Sequence, residues 1–278
     1  MKKYHWLLVL SIAIISSCQR SNSPSQIEAW TYKSQHQLRI SAHRGNSGLA
    51  PENTLATFQK TLEMGVDFIE IDVRTSKDNQ LVILHDGTLN RTTNGTGPIA
   101  NLSLSEIKQL KANKGWEAQF PNEQIPTLEE TLQLVAKWNK QKNTKTYIYV
   151  DCKQVEPQPL VSLMRKYHLD KESVYYGNDE FLERLKTVDA QSKRMPSLNN
   201  ANEIETKINR LAPYAFDVNW LKMNAQLVHD IHEKNIKVYT DVLGPLDQSN
   251  NYKKAKELGV DLIQTDHVKS VYRYFLGN

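Results

Sequence analysis

The sequence predicts a (β/α)8 barrel, and three observations lead there. Short β-branched runs alternate with helical patterns from about residue 36 onward, the rhythm of βαβ units on a parallel sheet. The stretch 36–278 is close to the ~250 residues typical of such a barrel. Polar clusters then recur at strand C-terminal ends, the rim where barrels of this kind carry their sites. A doubly wound open sheet is the rival fold. The sequence contains no Gly-rich phosphate loop of either standard kind in support of it.

Taken in order, the expected strands are 38–42, 66–73, 81–85, 146–151, 173–176, 193–195, 215–218, 237–240 and 261–264. Expected helices are 54–64, 105–110, 127–139, 159–167, 179–187, 225–235 and 251–258. The first carries Leu55, Phe58 and Leu62 on one face and Gly65 as its stop, with Asn53 able to cap it. Ser103 and Glu106 have the spacing of a capping box. Nine strands is one too many. Val73 to Gln80 is too short for a crossover helix, so the second-to-third strand connection is irregular or one strand lies outside the barrel. A long insertion, 87–126, follows the third strand, either as a lid over the rim or packed beside the barrel.

The chain starts Met1-Lys2-Lys3, followed by an apolar run from Trp6 to Ile15. A charged start and about ten apolar residues make a signal-peptide core, too short for the ~20 residues that span a bilayer. The run ends Ile15-Ser16-Ser17-Cys18, small residues before a cysteine, which resembles a bacterial lipobox. The expectation is therefore a lipoprotein signal peptide over 1–17, a lipidated Cys18, a flexible polar tether over 18–35 and a single domain over 36–278. That places the chain in a bacterial cell envelope, held to the membrane by its lipid. Gln19 in place of the aspartate associated with inner-membrane retention leans toward the outer membrane. Net charge is +4 and no run of five basic residues occurs, which excludes a nucleic-acid partner and mildly favours an anionic substrate. Two cysteines cannot build a disulfide framework.

Four clusters can carry chemistry. His43-Arg44-Gly45 closes the first strand: imidazole titrates near neutrality and the guanidinium fork matches phosphate, or the pair simply caps a turn. Glu70 and Asp72 share one face of the second strand, where a hard divalent cation would offset the cost of burying two carboxylates. Salt bridges or solvent would do so as well. His85-Asp86 ends the third strand and supplies a second imidazole, so that one ring can act as acid and the other as base. Asp151 and Lys153 share a face of the fourth: a third carboxylate for a cation, and a cation for growing phosphate charge. Cys152 points the other way, as a small core residue.

Together these residues resemble the glycerophosphodiester phosphodiesterase family. The likeness runs through His43-Arg44-Gly45, Pro51-Glu52-Asn53-Thr54, Glu70-x-Asp72, Asp78, His85-Asp86, Arg91-Thr92-Thr93, Ile125-Pro126-Thr127-Leu128-Glu129-Glu130 and Asp151-x-Lys153. Gly259-Val260-Asp261 and Thr265-Asp266 are similar to its closing strand. The resemblance implies a barrel with one divalent metal ion, Ca2+ or Mg2+, held by Glu70, Asp72 and Asp151. It implies His43 and His85 as the acid/base pair, Arg44 and Lys153 as phosphate ligands, and hydrolysis of a glycerophosphodiester to glycerol 3-phosphate and an alcohol. Related activity on phospholipid or envelope polyol phosphate, or capture of phosphodiesters without catalysis, are the alternatives. The chain departs from the family in three places. Asp151 stands for the usual glutamate, Tyr239-Thr240-Asp241-Val242 for Trp-Thr-x-Asn, and Val268 for a proline after Thr265-Asp266.

Overall fold

The computed structural model describes residues 29, 31–33, 35, 37–142 and 145–277. Cys18, the expected signal peptide and most of the expected tether lie outside the described residues.

Strands β1 (Arg39–Ala42), β2 (Phe68–Thr75), β4 (Tyr147–Gln154), β5 (Val174–Tyr176), β6 (Lys193–Met195), β7 (Ser197–Leu198), β8 (Ala215–Val218), β9 (Lys237–Asp241) and β10 (Leu262–Thr265) run in the order β6-β5-β4-β2-β1-β10-β9-β8-β7. Every pairing along that path is parallel. The two ends of the path are neighbours in sequence: β6 and β7 are separated only by Pro196. A proline has no N–H for the ladder, so the strand breaks there. β6 pairs with β5 and β7 with β8. The N–H of Tyr214 donates to Arg194 O (2.9 Å) and that of Asp217 to Pro196 O (3.0 Å), bridging the break. The fold is thus a nearly closed barrel.

The surplus strand is β3 (Leu81–Ile83). It pairs antiparallel to the end of β2 through a tight turn and takes no place in the parallel barrel. Burial on two faces explains the apolar strands. Ile69, Ile71, Val73, Ile148, Val150 and Cys152 face the surrounding helices, while Phe68, Tyr149, Val174, Met195, Ala215, Tyr239 and Leu262 fill the barrel interior. Cys152 is a free, buried thiol in the outer layer, pushed up by burial.

Helices cover the strands as expected, with two additions, Ile204–Leu211 and Val268–Leu276. The helix Leu55–Met64 is capped by the Thr54 side chain, not by Asn53, and stops at Gly65 with φ 71°. The capping box of Ser103 and Glu106 starts a helix, Leu104–Ile107, shorter than expected. The insertion packs over a separate core that it shares with β3 and the residue after it, made by Val82, Leu84, Leu89, Ile99, Ile107, Ala112 and Ile125. At the chain's start the expected tether ends earlier than residue 35. Ala29 and Tyr32 are buried, and Tyr32 donates its hydroxyl to Leu38 O at 2.8 Å. An aromatic ring with a backbone acceptor within reach gains more from docking than from staying in a solvated linker.

Candidate active site

β1 ends in a turn whose backbone is unusual for its sequence. Arg44, Gly45 and Asn46 all have positive φ, at 48°, 77° and 65°. Gly45 tolerates this without cost; Arg44 does not, and strain of that kind gathers where surrounding structure over-determines it. The helix Leu55–Met64 supplies the restraint. Thr57 and Thr61 both donate their hydroxyls to Gly45 O at 2.6 Å. A Cβ on Gly45 would meet Thr57 Cγ2 at 2.6 Å and Phe58 Cδ1 at 2.7 Å. Gly45→Ala is therefore expected to destabilise the fold by at least about 2 kcal/mol, from strain plus overpacking. A denaturant titration reads it, and an unchanged midpoint would contradict the account.

The turn aims its side chains at β2. The Arg44 N–H donates to Glu70 Oε2 at 2.7 Å. Its guanidinium donates from Nη1 to Glu52 Oε1 (3.1 Å) and brings Nε to 3.8 Å from Asp72 Oδ2, where Nε, buried, donates to nothing. Asn53, also at positive φ, donates from Nδ2 to Asp72 Oδ2 at 2.7 Å. The Pro-Glu-Asn-Thr stretch thus joins the site through Glu52 and Asn53 and starts the helix through Thr54.

Asp72 and Asp151 are register partners across β2 and β4, so their side chains leave the sheet on one face. Glu70, Asp72 and Asp151 each offer one carboxylate oxygen, all within 4.8 Å of one another. The shorter aspartate at 151 reaches the cluster because its strand is the immediate neighbour of β2. An all-oxygen set of three carboxylates suits a hard divalent cation. Burial pushes the Glu70 carboxyl well above its ordinary range, and the charges of Asp72 and Asp151 push it further. Lys153 Nζ lies 2.5 Å from Asp151 Oδ2 and 3.3 Å from Asp72 Oδ1, partly balancing the cluster. Burial alone would lower that ammonium's pKa, yet Asp151 and Asp72 raise it.

The two imidazoles are each held by an aspartate. His43 Nδ1 is 2.9 Å from Asp266 Oδ1, at the end of β10. His85 Nδ1 is 2.7 Å from Asp86 Oδ1. A ring that donates from Nδ1 to a carboxylate works through Nε2. The segment carrying His85 is pinned beside the acids. Leu84 N–H donates to Asp72 O at 3.0 Å, and Arg74 Nη2 donates to His85 O at 2.6 Å. Arg91 completes the frame. It donates from Nε to Asp86 Oδ2 (2.9 Å) and from Nη1 to Glu52 Oε2 (2.6 Å). A continuous chain Arg44–Glu52–Arg91–Asp86–His85 results, and Asp86 is held well below the usual carboxylate range mainly by Arg91.

The structure thus brings His43, Arg44, Glu70, Asp72, His85, Asp151 and Lys153 to one end of the barrel. Sequence reasoning missed the pairing of Asp266 with His43, the anchoring role of Arg74 and the bridging role of Arg91, which are side-chain partnerships that residue order does not display. Tyr239 is a barrel filler, 1% exposed.

Residues 43–270 match the model of the glycerophosphoryl diester phosphodiesterase family. The chain belongs to that family. Its members are phosphoric diester hydrolases, and so is this chain. It is 28% identical over 229 residues to a glycerophosphodiester phosphodiesterase of Caldanaerobacter subterraneus, covering 82% of this chain and 93% of the relative. Among solved structures, a glycerophosphodiester phosphodiesterase from Agrobacterium tumefaciens superposes with a TM-score of 0.75 at 26% identity, over 84% of this chain and 99% of that one. An Oleispira antarctica phosphodiesterase, solved in complex with the product sn-glycerol-3-phosphate, shares the fold. Its TM-score is 0.77 at 24% identity, over 89% of this chain and 98% of that one.

Arg91 is a positioning residue for His85, because it fixes the carboxylate that orients the ring. Arg91→Met is expected to cut kcat on the order of 100-fold, the penalty for a misplaced group near the chemistry, with an altered pH profile. Arg91→Lys should rescue only part, since one ammonium cannot fork onto two carboxylates. Full rescue by lysine would reduce the bridge to simple charge.

Proposed function

We propose that the chain hydrolyses glycerophosphodiesters to glycerol 3-phosphate and an alcohol, with His43 and His85 as the acid/base pair. Arg44 and Lys153 bind the phosphate, and Glu70, Asp72 and Asp151 hold one divalent cation, calcium or magnesium. The observation that carries this reading is the convergence of three carboxylates and two aspartate-held imidazoles at one rim. A cation held by Glu70, Asp72 and Asp151 would supply Lewis-acid polarisation of the phosphoryl group and would favour ionisation of a nearby hydroxyl.

The protein's own residues do the rest. The buried Nε of Arg44 has no hydrogen-bond partner, and a phosphate oxygen supplies one. Lys153 offsets charge growing on the other oxygens. One imidazole takes the proton from the glycerol 2-hydroxyl as its oxygen bonds to phosphorus. The other gives a proton to the departing alkoxide as its P–O bond breaks. A cyclic phosphate results, and water opens it with the two rings in exchanged roles.

The decisive experiment incubates the purified protein with glycerophosphocholine, glycerophosphoglycerol and glycerophosphoinositol in calcium, magnesium or chelator. Glycerol 3-phosphate should appear with at least one ion and vanish with chelator. No release from any substrate with either ion would end the proposal. The envelope location and lipid anchor belong to the same reading and rest on the Ser16-Ser17-Cys18 sequence. Fatty-acid labelling of the wild type that persists in Cys18→Ala would remove them.

A further inference from the structure

Beside the acid cluster lies a cleft of about 360 Å3, whose walls include Tyr176, Ser197, Asp217, Trp220 and Asp241. It adjoins the cluster, because Tyr176 is the register partner of Asp151 across β4 and β5. The Tyr176 hydroxyl and Ser197 Oγ are 2.9 Å apart, closing the wall between them. Asp217 in β8 pairs in register with Tyr239 in β9, and Asp241 follows two residues later on the same face. Two carboxylates from adjacent strands therefore face one cleft.

Neither takes part in the chemistry above, and no ion pair neutralises either among the described residues. Asp241 Oδ1 is shut off from solvent and accepts no hydrogen bond. A buried carboxylate oxygen left in that state costs free energy that a ligand can recover. A neutral polyol would donate a hydrogen bond and leave the charge. A protonated amine supplies both the donor and the opposite charge, and aromatic walls add to its binding. Trp220 already accepts a cation in this structure: Lys254 Nζ, from outside the cleft lining, lies 5.1 Å from its ring centroid.

We propose that this cleft receives the alcohol half of the substrate and selects one bearing a protonated primary amine, as in glycerophosphoethanolamine. The inference rests on the hydrolase reading for its placement next to the phosphate. Burial raises both carboxyls, and the charges of Asp241 and Asp151 raise Asp217 further. Burial takes Asp241 to about 6, with Asp151 and Asp266 adding to it and His43 and Lys153 opposing. Asp241 accordingly carries negative charge at neutral pH, matched by one ammonium.

Binding decides this without depending on turnover. Calorimetry in calcium buffer on His43→Ala protein compares glycerophosphoethanolamine with glycerophosphoglycerol. The expected result is at least tenfold tighter binding of the amine, reduced to within about threefold by the added change Asp241→Asn, with Asp217→Asn weakening it in the same direction. Thermal melts confirm that each variant is folded. Equal affinities in the His43→Ala background, or a preference that survives both Asp→Asn changes, would overturn the inference. A protein that shows the preference but whose wild type releases no glycerol 3-phosphate keeps the inference and sinks the hydrolase reading, so the two failures are distinguishable.

Discussion

His43→Ala is expected to lower kcat by about 100- to 10,000-fold while moving the melting temperature little. The side chain is 16% exposed at the rim, and its one strong partner is Asp266. On the proposed mechanism its loss removes a proton carrier, not a core contact. His85→Ala should behave alike, since its ring is 32% exposed and is tied to Asp86 in the same way. If one ring accepts a proton while the other gives one, as proposed, the double variant should fall little further than either single one. Residues that act as a unit are strongly non-additive. The measurement is single-turnover release of glycerol 3-phosphate at several pH values. A His43→Ala enzyme with unchanged kcat would remove the imidazole from the mechanism.

The second large effect belongs to Glu70→Gln. In the wild type, three carboxylates crowd within 4.8 Å and Glu70 is pushed well above 4.5 by burial and by its two neighbours. A divalent cation in hundredfold excess over its dissociation constant should stabilise the fold by about 2.7 kcal/mol, or roughly 5–10 °C in melting temperature. Glu70→Gln should abolish activity and most of that shift. It should also change how the cation-free protein responds to pH. A carboxyl whose folded pKa is raised contributes its full stability below the unfolded value near 4.5, and loses it as pH rises through the folded value. In chelator the wild type should therefore lose stability as pH rises above about 4.5, and Glu70→Gln should lose less. Melting curves with and without cation across that range test both statements. A variant that keeps the full cation shift would mean the ion binds elsewhere.

Much of this protein was legible in one dimension. Period-two alternation is local, so Glu70 with Asp72, and Asp151 with Lys153, could be assigned to shared faces before any fold was known, and Cys152 to the opposite one. Capping at Ser103–Glu106 and the stop at Gly65 are equally local, and both are present. The short Val73–Gln80 link ruled out a crossover helix by length alone. The surplus strand then proved to be an antiparallel partner of β2.

What the sequence could not supply is everything that depends on which segments become neighbours. Residue spacing says nothing of the 223 positions between His43 and Asp266, nor of Arg91 reaching back 39 residues to Glu52. Barrel closure decides those pairings. It also brought the aspartates at 217 and 241, two residues apart in register on adjacent strands, to the wall of one cleft, because inward side chains of neighbouring parallel strands leave the sheet on the same face. Chemical groups and their faces follow from local geometry, which the chain carries in its order of residues. Partners, burial and shifted acidities follow from long-range packing, which exists only once the sheet has rolled up and excluded water.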